Sequence, residues 1–86
     1  MRYTSSHNVE YEYKERLNNV GELIKRLRVS AGLSQRDLAE ECGIQQCQVS
    51  KLEQGNYSGL YTIYKVSLFF EVDVSDLIKG VNYTFK

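Results

Sequence analysis

Four glycines, at positions 32, 43, 55 and 80, divide residues 17–79 into short segments in which apolar residues recur every three or four positions. Glycine readily adopts the left-handed conformation that ends a helix, and a three-to-four spacing places apolar side chains on one helical face. The first segment carries such a stripe at Leu17, Val20, Ile24 and Leu27, flanked by Leu23. We therefore expect a series of short amphipathic helices.

The second and third helices are predicted on either side of Gly43. Ser34 followed by Asp37 is close to a capping box, in which the hydroxyl accepts the Asp37 amide and the carboxylate favours the helix start. The third helix is expected to begin near Gln45 and to end at Gly55. The predicted inward residues of these two helices are Leu38, Ala39, Cys42, Val49 and Leu52. The prediction is therefore two short helices joined by a glycine turn.

The segment 60–70 is apolar on two opposite sides. One side carries Leu60, Ile63, Val66 and Phe70, and the other carries Tyr61, Tyr64 and Leu68. A helix that is apolar on two sides needs two partners. A short fifth helix with Val74, Leu77 and Ile78 is expected next, with Asp73 and Asp76 available to cap its start and Gly80 closing it.

The two ends of the chain follow a different period. Apolar and polar residues alternate over 9–14 and again over 81–86, which is typical of strands. Two such strands could pair with each other in a small antiparallel sheet or with their copies in a second subunit, and the alternative is flexible tails. The predicted division is an N-terminal arm over 1–16, a helical domain over 17–79 and a tail over 80–86.

Composition excludes several classes of protein. The chain has 86 residues, 42% hydrophobic, enough for one compact domain. Its longest apolar runs have three residues, as in 68–70, and its polar start lacks a secretory signal, so a cytoplasmic location without membrane insertion is expected. The two cysteines, Cys42 and Cys47, and the single histidine, His7, form neither a zinc pattern nor a redox pair, so we expect no metal, no cofactor and no enzymatic activity.

The total charge of the chain does not indicate binding to phosphates, but the distribution of its charges is informative. The formal net charge is zero and the pI is near 6.6, so the chain as a whole exerts no pull on phosphates. However, Lys25, Arg26, Arg28 and Arg36 are not interrupted by any acidic residue. A locally basic face is therefore compatible with the sequence.

Residues 20–78 resemble the helix-turn-helix domain of the phage Cro and repressor type, also called the XRE family. The matching run is IKRLRVSAGLSQRDLAEECGIQQCQVSKLEQG. The resemblance implies an all-α, five-helix bundle, the lambda-repressor-like DNA-binding domain, whose third helix enters the major groove. Two departures are the absence of a proline after Gly55 and the presence of Gln45 where Ser or Thr usually caps the third helix, which predicts a weaker cap.

The outward face of the third helix carries amides, a thiol and an amine but no acid. A glutamine amide can contact adenine N6 and N7 together, and a lysine can donate to guanine O6 or N7. The resemblance assigns base contacts to Gln46, Cys47 and Lys51, with Gln48 and Ser50 secondary. It assigns a phosphate contact to Gln35, with Arg36, Gln45, Asn56 and Tyr57 as weaker candidates. Glu53, near the buried side, is expected to pair with Arg28 or with a backbone amide.

These features predict a homodimer that binds a near-palindromic operator in double-stranded DNA and regulates transcription, most simply as a repressor. The surplus apolar residues predict its interface at Tyr61, Tyr64, Leu68, Val81, Tyr83 and Phe85. An antitoxin-type protein that also binds a toxin and a purely protein-binding helical adaptor are the alternatives. The adaptor would show no salt-sensitive DNA binding.

Overall fold

The computed structural model describes residues 8–56 and 59–79, which are all-α as expected. Within those ranges five helices follow one another: α1 (Val9–Ser30), α2 (Gln35–Cys42), α3 (Gln46–Glu53), α4 (Leu60–Phe70) and α5 (Val74–Lys79). The described residues contain no strand. The predicted strand over 81–86 lies outside the described residues.

The predicted strand over 9–14 is wrong, because these residues form the first turns of α1. Asn8 caps the helix, its side-chain oxygen accepting the Tyr11 amide at 3.0 Å. One turn on, Arg16 pairs with Glu12 at 3.2 Å, four residues away. Capping and spaced charge pairs both favour helix, and they override the alternation of apolar residues. The long first helix therefore crosses the boundary predicted between residues 16 and 17.

The core is built from the apolar stripes of all five helices. Its buried members are Val20, Leu23, Ile24, Leu27, Leu38, Ala39, Val49, Leu52, Ile63, Val66 and Leu77. Leu33, Cys42, Ile44, Phe70, Val72 and Val74 pack against this core while partly exposed. Each helix buries one face against the others, which fixes the orientation of the faces left in solvent.

The turn between α2 and α3 forms as the sequence predicts. The Ser34 hydroxyl accepts the Asp37 amide at 3.0 Å and the Asp37 carboxylate accepts the Ser34 amide at 3.0 Å, completing the capping box at the start of α2. Gly43 ends this helix with a φ of 68°, in the left-handed region that favours glycine. The capping box therefore fixes where α2 begins, and Gly43 fixes where it ends and the turn into α3 starts.

The α1 backbone crosses the last turn of α3 closely. A Cβ atom added at Gly21 would collide with the carbonyl oxygen of Leu52 and would lie 2.9 Å from that of Glu53. A Cβ atom added at Gly55 would collide with the side-chain oxygen of Asn18, and Gly55 has a φ of 78°. Glycine at these positions lets α1 support the back of α3.

Within the part of the chain that the structure describes, helix α4 buries one of its two apolar sides and leaves the other exposed. Ile63 and Val66 are buried and Phe70 is partly buried, as expected. Leu60, predicted on the same side, is 62% exposed because it is the first residue of the helix, at the edge of the core.

Candidate nucleic-acid interface

The outward face of α3 presents polar side chains without an acid. Gln46, Cys47 and Lys51 are exposed, whereas Gln48 and Ser50 are half-buried on its flanks. In the described part of the chain the side chains of Gln46 and Lys51 make no hydrogen bond or ion pair. Their donors and acceptors are therefore available to an external partner.

The acid of α3, Glu53, is drawn into the protein by Arg28. The Arg28 Nε lies 2.7 Å from Glu53 Oε2, and an Arg28 terminal nitrogen donates to Oε1 at 3.1 Å. The two side chains are only 12% and 4% exposed. The hydrogen bond with Glu53 raises the pKa of Arg28, against the effect of burial. This confirms the predicted pair, which removes a negative charge from the outward face of α3.

Gln35 joins the start of α2 to the same carboxylate. Its Nε2 donates to Glu53 Oε1 at 3.1 Å, and the residue is half-buried. This bond uses one N–H of the Gln35 side-chain amide and leaves the other N–H available. The first backbone amides of α2, those of Gln35 and Arg36, have no acceptor within the helix. Glu53 thus connects α1, α2 and α3 behind the face that the sequence assigns to DNA.

The start of α3 is capped in a way that the resemblance did not suggest. Gln45 lies at the N-cap, and its amide donates to the Gln48 side-chain oxygen at 3.0 Å. The Gln45 side-chain oxygen is 3.5 Å from Cys47 Sγ, so this side chain leans over the first turn. The spacing Gln-x-x-Gln is the sequence signal, since glutamine at the third helical position completes many capping boxes.

The end of α3 carries a chain of exposed amides. Gln54 Nε2 donates to the Ser50 hydroxyl at 3.1 Å, and Asn56 Nδ2 donates to Gln54 Oε1 at 3.4 Å. Ser50 and Asn56, predicted as base and phosphate contacts, are thus connected through Gln54. Tyr57, also predicted to contact phosphate, lies outside the described residues.

Comparison with known families gives a match over residues 24–77 to the family described as Helix-turn-helix, which is more than half of the chain. The chain belongs to the XRE, or Cro/repressor-type, helix-turn-helix family. Because it belongs to this family, the chain is a DNA-binding transcription regulator. The family is a regulatory family and not a family of enzymes. No curated protein matches the chain significantly.

In this XRE-family protein, three of the four cations between residues 25 and 36 lie in solvent, whereas Arg28 is largely buried with Glu53. Arg36 pairs with Glu40 at 3.3 Å, with side chains 78% and 66% exposed. Such a pair is worth at most about 1 kcal/mol, so Arg36 can exchange Glu40 for another anion. Lys25 and Arg26 are exposed on α1.

The two cysteines of this XRE-family protein differ in environment. Burial, and next the charge of Glu41, raise the pKa of the Cys42 thiol, which packs partly against the core. Cys47 is exposed on α3. The described residues hold no group of three His, Cys, Asp or Glu side chains that could bind a metal, and none of their helices is long and apolar enough to cross a membrane.

The second exposed face of the XRE-family chain is apolar and lies on α4. Tyr61, Tyr64 and Leu68, here called the α4 strip, are 67%, 51% and 59% exposed. The Lys65 amine lies 4.4 Å from the centre of the Tyr61 ring. The other residues predicted for a dimer interface, Val81, Tyr83 and Phe85, lie outside the described residues.

Proposed function

We propose that this regulator binds double-stranded DNA in the cytoplasm as a two-fold dimer, inserts α3 into the major groove and represses transcription by blocking access to its operator. The observation that carries the proposal is the exposed, acid-free face of α3, supported from behind by the buried Arg28–Glu53 pair. Among the described residues, the Gln46 amide and the Lys51 amine on the outer side of this helix have no partner, which suits base edges, since these present both donors and acceptors.

Three residues of α3 are proposed as the main base contacts. The Gln46 amide can satisfy adenine N6 and N7 together, and Lys51 can donate to guanine O6 or N7. Cys47, between them, offers a small group to a thymine methyl. Ser50 is a secondary contact on the flank.

Contacts to the DNA backbone are proposed from the start of α2 and both ends of α3. Gln35 and Arg36 offer side-chain and main-chain donors at a helix N-terminus, where an anion is favoured. Gln45 and Asn56, with Tyr57, are the remaining candidates. Binding that rests on phosphate contacts must weaken with salt, by about 10³ to 10⁵ in affinity between 50 and 200 mM for 6 to 10 contacts.

The α4 strip supports the dimer. Three large apolar side chains, each more than half exposed, lose water if a second copy covers them. A two-fold dimer would present two α3 helices about 34 Å apart, one helical turn of DNA. If the protein were monomeric while still binding DNA, the strip would instead favour a different protein partner, as in the antitoxin alternative.

The proposal is tested by selecting bound fragments from random duplex DNA and then comparing two variants. Gln35→Ala should weaken binding to all duplexes, whereas Gln46→Ala should cost about 1 to 3 kcal/mol mainly at one base pair per half-site. Absence of any salt-sensitive binding would refute DNA recognition. If both variants affected all sequences equally, the assignment of α3 as the base-contacting helix would be wrong.

A further inference from the structure

Gln48 makes a hydrogen bond that fixes which end of its amide faces outward. Its Oε1 lies 3.0 Å from the Gln45 backbone nitrogen, a donor at the N-cap of α3. Only the oxygen of a glutamine amide can accept such a bond, so the chemistry itself excludes the flipped orientation. The NH₂ group of Gln48 then points away from the cap, and it has no hydrogen-bond partner among the described residues.

From this geometry we infer that Gln48 contacts DNA through the NH₂ donor that the cap leaves without a partner, and that it therefore recognises acceptor atoms. The inference rests on the proposed function and refines the role of one residue in it. Gln46, which is exposed on α3, has no partner among the described residues and keeps both its donor and its acceptor available. A two-way contact to adenine N6 and N7 is therefore open to Gln46, whereas at Gln48 the oxygen that would accept from N6 already accepts the Gln45 amide.

Two kinds of acceptor on a duplex fit the Gln48 amide. Phosphate oxygens accept and never donate, and they occur at every step of the backbone. Guanine O6 and N7, adenine N7 and thymine O4 are acceptors on base edges in the major groove. Both kinds of acceptor would receive the same hydrogen bond from Gln48. They differ in whether the contact depends on the DNA sequence.

The decisive variant is Gln48→Glu, which keeps the acceptor and removes the donor. Glutamate at the third helical position completes a capping box and is favoured by the positive helix start, so stability should equal or exceed that of the wild type. DNA affinity should fall roughly tenfold or more, because a carboxylate faces acceptor atoms that repel it. Thermal unfolding and titration of the selected operator measure the two effects.

Gln48→Met is the neutral control, since it has similar length but neither donor nor acceptor. Its unfolding equilibrium constant should shift toward the unfolded state by about 2- to 12-fold, and its operator affinity should fall by a similar factor, each the size of one hydrogen bond. The charge of the Glu variant plays no part in this result. A Met variant with full affinity would show that Gln48 only caps the helix.

The pattern of loss across duplexes assigns the acceptor. Equal weakening on all duplexes indicates phosphate, and weakening confined to one base pair indicates a base edge. If Gln48→Glu bound as well as the wild type, or were as unstable as Gln48→Met, the inference would be overturned. Failure of the wild type to bind any duplex would instead refute the proposed function, so the two failures are distinguishable.

Discussion

Helices α3 and α4 both leave a broad face in solvent, but the two faces differ in chemistry. The α3 face consists of amides, a thiol and an amine, and its acid is buried against Arg28. The α4 strip consists of two tyrosines and a leucine, each more than half exposed. The α3 face can exchange its hydrogen bonds with water for hydrogen bonds with a polar partner. The α4 strip gains free energy mainly because its apolar surface is removed from water.

This difference indicates two partners rather than one extended interface. Contact with a base edge discriminates because an unmatched donor or acceptor is costly, and the α3 face is built of such groups. Burial of the α4 strip does not discriminate between partners in that way, because the free energy gained is proportional to the apolar area removed from water. In the proposed function, α3 supplies sequence discrimination and the α4 strip binds the second copy, which doubles the site.

The largest effect should come from removing the apolar character of the α4 strip. Leu68→Asp places a charge in the proposed interface, so the dimer should dissociate while the monomer stays folded, because Leu68 is 59% exposed. Operator affinity should fall by about 10² to 10⁴, the advantage of linking two binding units. Sedimentation and DNA titration on the same samples measure both quantities.

Val29→Asp is the matched control for that experiment. Val29 is 60% exposed and, like Leu68, lies in the last turn of its helix, but it is on α1. Sedimentation of this variant should equal that of the wild type. If Leu68→Asp left the association state unchanged, α4 would not be the dimer surface and the contrast between the two faces would lose its explanation.

The support behind the α3 face is tested by Glu53→Gln. The substitution leaves the Arg28 charge without its counter-ion in a site where that side chain is 12% exposed. Breaking such a pair from one side costs about 3 to 5 kcal/mol in the free energy of unfolding. Urea denaturation at low temperature measures it.

Two further variants identify the cause of that loss. Glu40→Gln breaks the exposed pair with Arg36 and should cost about 1 kcal/mol or less. Replacing both buried partners, with Arg28→Met and Glu53→Met together, should recover part of the stability lost in Glu53→Gln. A double variant less stable than the single one would show that the pair contributes through other contacts.

The sequence predicted those parts of the fold that depend on local pattern. Gly43 ends α2 as expected. Glu53, expected to pair with Arg28 or with a backbone amide because it lies near the buried side of α3, pairs with Arg28. The prediction for residues 9–14 was wrong because a strand and a solvated helix can share the same alternation. The signals that decide it, the Asn8 cap and the pairing of Glu12 with Arg16, act at a spacing of three or four residues.

The candidate site was harder to predict in detail than in outline. Helical periodicity alone indicates which α3 residues face outward, so the exposure of Gln46 and Lys51 follows from the sequence. The bond from the Gln45 amide to Gln48 depends on backbone torsions at the cap and on a side-chain rotamer. The bond from Gln35 to Glu53 joins residues 18 positions apart, a separation that local pattern does not resolve.

A smaller effect is expected from modifying the thiol on the α3 face. In a Cys42→Ala protein, N-ethylmaleimide can react only with Cys47, which is exposed. We predict a loss of operator affinity of about 5- to 150-fold, the range for one lost base contact, because the adduct fills the space next to Gln46. DNA titration before and after complete alkylation measures it.

The control for alkylation is a Cys47→Ser protein treated in the same way. Burial raises the pKa of the remaining Cys42 thiol, which lowers its thiolate fraction at neutral pH and slows the reaction. Its affinity should not change over the same exposure time. Unchanged affinity of the fully alkylated Cys42→Ala protein would show that Cys47 does not face the DNA.

The smallest effect concerns Asp37, the acid in the first turn of α2, the helix that also carries the proposed phosphate contacts Gln35 and Arg36. Hydrogen bonds from the Ser34 amide and hydroxyl lower the pKa of the Asp37 carboxyl. Its stabilising contribution is therefore complete above the unfolded-state pKa of about 3.9 and is lost as the pH falls through the lower folded-state value.

Asp37→Asn should be less stable than the wild type at pH 7, and the difference should shrink below about pH 4. Because the substitution removes a negative charge beside Gln35 and Arg36, DNA affinity should rise slightly at low salt while stability falls. A parallel fall of both quantities at pH 7 would show that the cap, rather than the charge, controls how the start of α2 meets the phosphate backbone.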